Sequence, residues 1–411
     1  MQVFKFGGAS IKNTQGIKQV LSIIKTYSTE KIIVVVSAMG KTTNGLEKVY
    51  EKLNAGKSFT KELDEVKLYH KSLMEELFTP GESVWKIIES CFNSINNLPK
   101  ISPDKAYDQI VSLGEIVSSL ILFTYFKDQT LPVEWVDARN YISSDTTFRE
   151  GKVDWTETEQ RMQKLHSILE NKLIITQGFI AGSKEGAVTL GRDGSDYSAA
   201  IFASCLNATS VTIWKDVPGV MNADPQRLPE AVVFDELPFR EAAEMTYYGA
   251  SVIHPKTIKP LANKNIPLWV KNFDNPDLPG TVIHETKINF LPPLIVFKDN
   301  QCLVSCRVTD YTFIDESQLS FIFKALSELN IKINVMQNSA ISFSFCIDYR
   351  EDKVAKLIER IASHFEIYYN TGLTLITIKN YDSAAAEKYR KLPGILLEQL
   401  SRSTLQVLVK N

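Results

Sequence analysis

The stretch Val188-Thr-Leu-Gly-Arg-Asp-Gly-Ser-Asp-Tyr-Ser-Ala-Ala200 decides the expected fold, because it ends an apolar strand and opens a helix of small residues. Its glycines permit a tight turn, and the first-turn amides of the helix point at any anion bound there. Ser195 and Asp196 suit helix-capping positions, while Arg192 adds a forked donor for a carboxylate or phosphate. The stretch therefore indicates a phosphate-transfer site, although an ordinary strand-to-helix connection has the same composition.

The composition is that of a globular protein with two or three domains. The 411 residues are 44% hydrophobic with a formal net charge of -2, which gives no indication of nucleic acid or membrane as a partner. The apolar runs are only strand-sized, and the first residues lack a signal-peptide pattern. Five cysteines form no CxxC pair and five histidines show no ligand spacing. We therefore expect a cytoplasmic protein with reduced thiols and no metal site of its own.

Strands and helices alternate over the first two thirds of the chain, which predicts an α/β fold. Apolar runs that predict strands lie at 2–6, 32–37, 173–180, 209–214 and 267–271. Segments of helical period separate them, so we expect a mainly parallel sheet flanked by helices. Between about 44 and 128 the pattern is helical throughout, which indicates a helical insertion beside the sheet.

A change of composition at 274–293, rich in Asp, Asn and Pro, marks the end of this part. The elements expected beyond it are strands 302–309, 331–337, 340–347, 366–369 and 373–378, helices 316–329 and 352–363, then a helix at 393–401 and a strand at 404–409. In chain order, the elements from the strand at 302–309 to the strands at 366–369 and 373–378 follow the β-α-β-β-α-β order of a ferredoxin-like α+β module. We expect a first domain at 1–285, a linker at 286–297, and a region at 298–411 with one complete module and a partial second one.

The N-terminal strand carries a lysine close to the Gly7-Gly8 turn that follows it. Because side chains alternate along a strand, the Lys5 amine can reach the cleft above the sheet edge and neutralise phosphate charge. A surface lysine on an edge strand is the alternative. Neither the P-loop pattern nor the dinucleotide-binding GxGxxG pattern occurs in the chain, which disfavours both common nucleotide folds.

Six segments, in order along the chain, resemble the signatures of the aspartate kinase family. They are Lys5 to Ser10, Val36 to Asn44, Ser112 to Glu115, Thr176 to Ile180, Leu190 to Tyr197 and Trp214 to Val220. The resemblance covers nearly the whole chain, and the C-terminal region resembles the ACT regulatory module of these enzymes. Because no homoserine dehydrogenase extension follows, we expect the monofunctional form.

The resemblance implies the amino-acid-kinase fold and a defined reaction. ATP and L-aspartate would give ADP and 4-phospho-L-aspartate, the first step of lysine, threonine and methionine synthesis. The acceptor is a carboxylate already ionised at neutral pH, so the site needs positioning and charge neutralisation rather than a general base. Mg²⁺ would bind mainly through the nucleotide.

The resemblance also implies roles for the matching residues. Catalysis would rest on Lys5, which stabilises the transferring phosphoryl group, and on Asp196, which orients lysines and magnesium-bound phosphate. The residues implied at L-aspartate are Thr43, Glu115, Arg192 and Ser195. Among them, Arg192 would pair with the α-carboxylate and Glu115 with the α-ammonium. The residues implied at ATP are Lys5, Gly7, Gly8, Ser10, Lys215, Asp216, Val217 and Gly219. Taken alone, Glu115 is equally consistent with an ordinary helix surface.

Some positions depart from the family pattern on the ATP side. Ala9 stands where threonine is common, and the other departures are Met221, Gln226 and Ser251. Arg227 and Lys256 are near enough in sequence to supply substitute charge.

The ACT resemblance implies amino-acid binding and self-association. The residues implied at an effector are Asn334, Gln337, Asn338 and Ser339, and a homodimer or larger homo-oligomer would form through these modules. Lysine-sensitive relatives have acidic residues where this chain has Asn334 and Ala340, which disfavours an ε-ammonium and leaves threonine open beside lysine. A polar turn without a ligand is the alternative.

Two further functions stay open from the sequence. One is another amino-acid kinase of the same fold, acting on glutamate, acetylglutamate or a carbamate-like acceptor. The other is a catalytically weak amino-acid sensor, in which only the ACT region binds its ligand.

Overall fold

The computed structural model describes residues 1–27, 30–78, 83–249, 253–288, 290–309 and 312–410. These residues form two compact units. The N-terminal unit comprises Met1–Val220, Val233–Ala243 and Ser251–Lys287, and the C-terminal unit comprises Met221–Val232, Glu244–Ala250 and Ile288–Asn411.

A mainly parallel sheet forms the centre of the N-terminal unit, as the sequence predicts. The strands before the C-terminal region are β1 (Gln2–Phe6), β2 (Ile32–Val36), β3 (Val133–Trp135), β4 (Leu173–Gln177), β5 (Ile180–Ser183), β6 (Gly186–Thr189), β7 (Ser210–Lys215), β8 (Glu236–Pro238), β9 (Leu268–Asn272) and β10 (Thr281–His284). Eight of them pair in the order β3-β4-β2-β1-β7-β9-β10-β8, and only the β9–β10 pairing is antiparallel. The other two, β5 and β6, form a hairpin.

Helices cover both faces of this sheet and build the insertion. They are α1 (Thr14–Thr26), α2 (Thr42–Asn54), α3 (Thr60–Leu77), α4 (Ser83–Asn93), α5 (Pro103–Val111), α6 (Leu113–Asp128), α7 (Trp155–Met162), α8 (Leu165–Leu169), α9 (Gly194–Cys205), α10 (Phe239–Tyr248) and α11 (Pro255–Asn263). Strand β2 is buried along its whole length because helices lie on both of its faces. Small residues fill α9, which lets that helix approach β1, β2 and β7 closely.

The stretch Pro103–Asp128 is long and apolar enough to cross a membrane by composition, with a mean hydropathy of 1.5. In the structure it is α5 followed by α6, and 72% of its most apolar window is buried inside the protein. The apolar side chains Ile110, Val117 and Ile121 belong to the main hydrophobic core. These helices therefore serve as core helices of the N-terminal unit.

An antiparallel sheet forms the C-terminal unit. Its elements are β11 (Leu294–Arg307), α12 (Glu316–Glu328), β12 (Ile333–Asn338), β13 (Ser342–Asp348), α13 (Glu351–Ile361), β14 (Glu366–Lys379), α14 (Ser383–Arg390), β15 (Ile395–Leu400) and β16 (Thr404–Lys410). The six strands pair in the order β12-β13-β11-β14-β16-β15. The first six elements confirm the ferredoxin-like order.

Two expectations for this unit are wrong. The stretch expected as a helix at 393–401 is strand β15, which pairs with β16, and the helix lies earlier, where Asp382 accepts a hydrogen bond from the Ala385 amide. Cross-strand pairing outweighs the helix propensity of Leu and Glu. The two strands expected at 366–369 and 373–378 are the single strand β14, because β11 pairs with it along most of its length through a local irregularity.

Candidate active site

A cavity of about 550 Å³ opens at the carboxyl ends of the central strands of the N-terminal unit. This edge of a parallel sheet is the usual place for a ligand. The residues expected at substrate that line the cavity are Lys5, Thr43, Glu115, Arg192, Ser195, Asp196 and Lys215. The fold thus brings together residues from all six sequence motifs, since Phe179 of the Thr176 to Ile180 segment lines the same space.

Two lysines flank one buried carboxylate in this cavity. Nζ of Lys5, near the end of β1, lies 2.7 Å from Oδ1 of Asp196, and Nζ of Lys215, at the end of β7, lies 3.5 Å from Oδ2. Burial opposes the ionisation of Asp196, but the two ammonium charges outweigh it and hold its pKa below the ordinary value. Asp196 is therefore ionised at neutral pH, and the three-residue cluster carries a net charge of about +1.

Close approach of the backbone aims Asp196 into the cavity. A Cβ added at Gly178 would lie 2.5 Å from Cβ of Ser195, so glycine is required there. Asp193 adopts φ +53° at the N-cap of α9, and no side-chain capping bond is described for it. The expectation that Ser195 and Asp196 cap the helix is wrong, because the N-cap is Asp193 and the helix begins at Gly194, which leaves both residues in its first turn.

Glu115 presents a buried oxygen that has no partner among the described residues. The side chain lies in the first turn of α6 and is 3% exposed. Its Oε1 accepts a hydrogen bond from the Ala38 amide at 3.2 Å, whereas its Oε2 is unpartnered in the part of the chain that the structure describes. Burial raises the pKa of Glu115 to about 8. A cationic ligand group would satisfy this oxygen and restore the charge.

Comparison with known proteins agrees with this geometry. A profile described as the amino acid kinase family matches residues 1–272. The chain is 30% identical to lysine-sensitive aspartokinase 3 of Escherichia coli, over 84% of this chain and 78% of that protein. The chain belongs to the amino acid kinase family, among its aspartokinases.

Other relatives extend this comparison. Bifunctional aspartokinase/homoserine dehydrogenase 2 of Arabidopsis thaliana is 30% identical over 98% of this chain and 47% of its own length. The chain thus spans about half the length of the curated relatives that it matches first. The crystal structure of E. coli aspartokinase III with aspartate and ADP superposes with a TM-score of 0.85 and 28% identity, covering all of this chain and 96% of that one.

The remaining residues expected at L-aspartate differ in exposure. Thr43, in the first turn of α2, is partly buried, and Ser195 is buried. The Arg192 side chain is 79% exposed, and its Nε lies 3.8 Å from Oδ2 of the neighbouring Asp193. Arg192 is therefore at the mouth of the cavity, where it remains largely hydrated.

The glycine turn after β1 packs against the turn after β2. A Cβ at Gly8 would lie 2.3 Å from the Ala38 carbonyl oxygen, so this position admits only glycine. The Ser10 amide donates to the Gly7 carbonyl at 3.0 Å and closes the turn. The backbone amide of Ser10 is thus engaged within the turn, and its side-chain hydroxyl is the group that is left for a phosphate.

The other residues expected at ATP do not line the main cavity. Asp216 lines a second cavity of about 450 Å³, together with Ala9 and Ser10. Val217 follows β7, and Gly219 lies so close to Thr281 that a Cβ would be 2.5 Å from its Oγ1. The Val220 amide donates to that same hydroxyl, which fixes the turn.

The departures from the family pattern fall in different places. Met221, Gln226 and Arg227 belong to the C-terminal unit, where the Arg227 guanidinium pairs with Asp299. Ser251 lies outside the described residues. Lys256 lies beside the Arg192 turn, since a Cβ at Gly191 would be 3.5 Å from its Nζ. Of the two substitute cations, Lys256 is therefore the one beside the cavity.

Eight residues that line the cavity were given no role from the sequence, although four of them lie within the quoted segments. They are Ser37, Glu47, Tyr107, Arg149, Glu150, Phe179, Thr189 and Asp193. The Tyr107 hydroxyl donates to Glu47 Oε1 at 2.7 Å, and the Arg149 guanidinium lies 4.0 Å from the centre of the Tyr107 ring. The spacing of Asp104, Tyr107 and Asp108 on one face of α5 was the available signal.

The residues expected at an effector divide between two environments. Asn334 joins a polar network, in which it accepts from Lys298 Nζ at 2.9 Å and donates to Asp348 Oδ1 at 3.0 Å. Gln337 and Asn338 are exposed on β12, a strand at the edge of the sheet, and Ser339 turns the chain towards β13. The structure thus separates the side chain of Asn334 from the exposed polar turn.

Proposed function

We propose that this protein is an aspartate kinase, which transfers the γ-phosphoryl group of ATP to the side-chain carboxylate of L-aspartate. The observation that carries the proposal is one cavity that holds both the Lys5–Asp196–Lys215 cluster and a Glu115 oxygen without a partner among the described residues. The first suits a polyanion, and the second suits the ammonium group of an amino acid. The complex of E. coli aspartokinase III with aspartate and ADP supports the same pair of ligands.

In the proposed reaction a β-carboxylate oxygen of aspartate attacks the γ-phosphorus, and the bond from that phosphorus to the bridging oxygen of ADP breaks. No proton has to move, because the nucleophile is ionised at neutral pH. Lys5 and Lys215 neutralise the charge on the transferring group, and Asp196 holds both amines in place. The lowered pKa of Asp196 agrees with this orienting role and not with that of a base.

The amino-acid end of the cavity has its own recognition groups. We assign the α-ammonium to Glu115 Oε2 and the α-carboxylate to Arg192, with Thr43 and Ser195 completing the contacts. Gly7, Gly8, Asp216, Val217 and Gly219 would surround ATP, along with the hydroxyl of Ser10. Mg²⁺ would enter as part of the nucleotide substrate and spread its phosphate charge.

The proposal extends to regulation by an end-product amino acid. E. coli aspartokinase III has been crystallised with lysine and aspartate in a T-state, which makes lysine the first effector to test. In this chain the Lys298 ammonium already bonds Asn334, so an effector with an uncharged side chain such as threonine fits better. Gln337, Asn338 and Ser339 would complete the effector site.

We also propose residues 1–285 as the catalytic domain and 298–411 as the ACT region, joined by a linker at 286–297. The last four residues of that linker already form the start of β11, because they pair with β14. A cytoplasmic homodimer or larger homo-oligomer would form through the ACT region. The exposed edge of β12 supports this association, because an edge strand has unpaired backbone groups.

The test is ADP release from MgATP with L-aspartate, L-glutamate or acetylglutamate as acceptor, repeated with lysine or threonine. Turnover with aspartate alone is expected, and suppression by one added amino acid would identify the effector. Turnover with another acceptor would favour a different amino-acid kinase. Amino-acid binding without any turnover would favour a sensor. Light scattering of the full chain would give the oligomeric state.

A further inference from the structure

We propose that Arg149 is a specificity-determining residue, whose guanidinium binds the α-carboxylate of the amino-acid substrate alongside Arg192. This inference rests on the proposed kinase function but concerns a residue outside all six motifs. Arg149 follows β3 and the Ala138–Asn140 turn, and it lines the same cavity as Glu115 and Lys5.

The backbone of Arg149 is fixed beside the Arg192 turn. A Cβ added at Gly191 would lie 3.3 Å from the Arg149 carbonyl oxygen, so the two arginines come from adjacent segments. The Arg149 amide donates to Oδ2 of Asp108 at 2.9 Å, and the same carboxylate accepts from the Thr189 amide and hydroxyl. Asp108 is fully buried, so these bonds tie the Arg149 loop to α5 and β6.

The side chain is held more firmly than that of Arg192. Its guanidinium stacks 4.0 Å from the centre of the Tyr107 ring, and its Nε lies 3.0 Å from Oδ1 of Asp104. The side chain of Arg149 is 43% exposed, against 79% for Arg192. The guanidinium also lies 5.4 Å from the centre of the Tyr50 ring. Because Asp104 engages Nε, a substrate carboxylate would bind through the two Nη groups in the guanidinium plane.

The backbone of Arg149 adopts φ +69°, a conformation that glycine adopts at lower cost. A residue other than glycine keeps this conformation where the surrounding structure holds it, and such residues cluster at ligand-binding positions. An α-amino acid carries its ammonium and carboxylate on the same carbon. Glu115 Oε2 and the Arg149 fork supply one partner for each group within one cavity.

The experiment measures the KM for L-aspartate, the KM for ATP and the calorimetric Kd for L-aspartate. Variants are Arg149→Ala, Arg149→Gly and Arg149→Lys, with Arg161→Ala as the matched control, since Arg161 also pairs with an exposed carboxylate but lies on α7 outside the lining residues. Arg149→Ala and Arg149→Gly should each raise the KM and Kd for aspartate about tenfold or more, with the KM for ATP unchanged. Arg149→Lys should recover part of the loss.

The substrate analogue L-aspartate α-amide identifies the group that is bound. Wild type should prefer L-aspartate to this amide, and the preference should fall about tenfold in Arg149→Gly, which relieves the backbone strain and preserves folding. An unchanged preference, or an effect equal to that of Arg161→Ala, would overturn the role of Arg149. Wild type that binds aspartate without turnover would refute the kinase function while the Kd values still decide on Arg149. Wild type that does not bind aspartate would refute both.

Discussion

Two clusters of lysine and aspartate, one in each unit, contain the same residue types but differ in net charge and in how completely their polar groups are paired. In the N-terminal unit Lys5 and Lys215 face the single carboxylate of Asp196. In the C-terminal unit one ammonium, on Lys298, faces Asp348 at 2.8 Å, and the amide side chains of Gln301 and Asn334 bond the same carboxylate oxygen.

The difference lies in how completely each cluster is satisfied. The first has an excess positive charge beside a cavity, so a polyanion completes it. The second is neutral and bonded across β11, β12 and β13, so it fixes the pairing of those strands. Identical residue types therefore give either a cluster that can accept a polyanion or one that only joins strands, depending on the charge balance and the neighbouring space.

The largest expected effect comes from removing an ammonium from the first cluster. Lys5→Ala should lower kcat with L-aspartate by at least about 10²-fold, because charge on the transferring phosphoryl group is no longer neutralised. The measurement is steady-state ADP release, with circular dichroism to confirm folding. Lys298→Ala is the matched variant in the other cluster and should retain turnover. Similar losses in both variants would contradict the distinction between the clusters.

Removing the charge of Glu115 should give the next largest effect. Glu115→Gln keeps the shape and an oxygen for the Ala38 amide but loses the partner for the α-ammonium. We expect the KM for aspartate to rise about tenfold or more, with the KM for ATP unchanged. Thermal unfolding should show equal or higher stability, since a buried carboxylate oxygen without a described partner is replaced. An unchanged KM would remove Glu115 from the aspartate site.

The raised pKa of Glu115 contrasts with the lowered pKa of Asp196 and predicts a pH dependence. The pKa of Glu115 is raised to about 8, so the native state holds a proton that the unfolded state loses near its ordinary pKa. Stability then falls as pH rises between roughly 4.5 and 8, by at most about 1.4 kcal/mol per pH unit. Aspartate binding should strengthen over pH 6–8, because it needs the ionised carboxylate. His70, whose pKa burial lowers to about 4, contributes a slope of opposite sign below pH 6.5. The contribution of Glu115 is therefore the difference between wild type and Glu115→Gln, measured by denaturation for stability and by calorimetry for aspartate binding.

The smallest expected effect concerns the neutral cluster. Lys298→Met should lower the free energy of unfolding by about 1 kcal/mol, because Asp348 is half exposed and keeps its two amide partners. Urea denaturation at pH 7 measures this, with turnover in the absence of effector as the second readout. A loss of turnover without a loss of stability would show that this cluster does more than hold the strands together.

Local sequence determined most of the first cluster and its setting. The apolar strand that ends in Lys5-Phe6-Gly7-Gly8 and the turn before Asp196 each carry their own structural signals, since glycine spacing and strand burial act over a few residues. The mainly parallel sheet followed from the alternation of apolar runs for the same reason. Asp196 was expected to orient lysines, and the structure places Lys5 and Lys215 on either side of it.

Only the tertiary structure decided what depends on distant partners. The stretch Ile395–Leu400 has helix-forming residues, yet it is a strand because β16 supplies its hydrogen bonds. Two features of the cavity likewise depend on segments far away in sequence. One is the Glu115 oxygen that has no partner among the described residues, and the other is the stacking of Arg149 on the Tyr107 ring. The spacing of residues along the sequence indicates which of them share a helix or strand. Burial and charge balance arise only when separate helices and strands pack together.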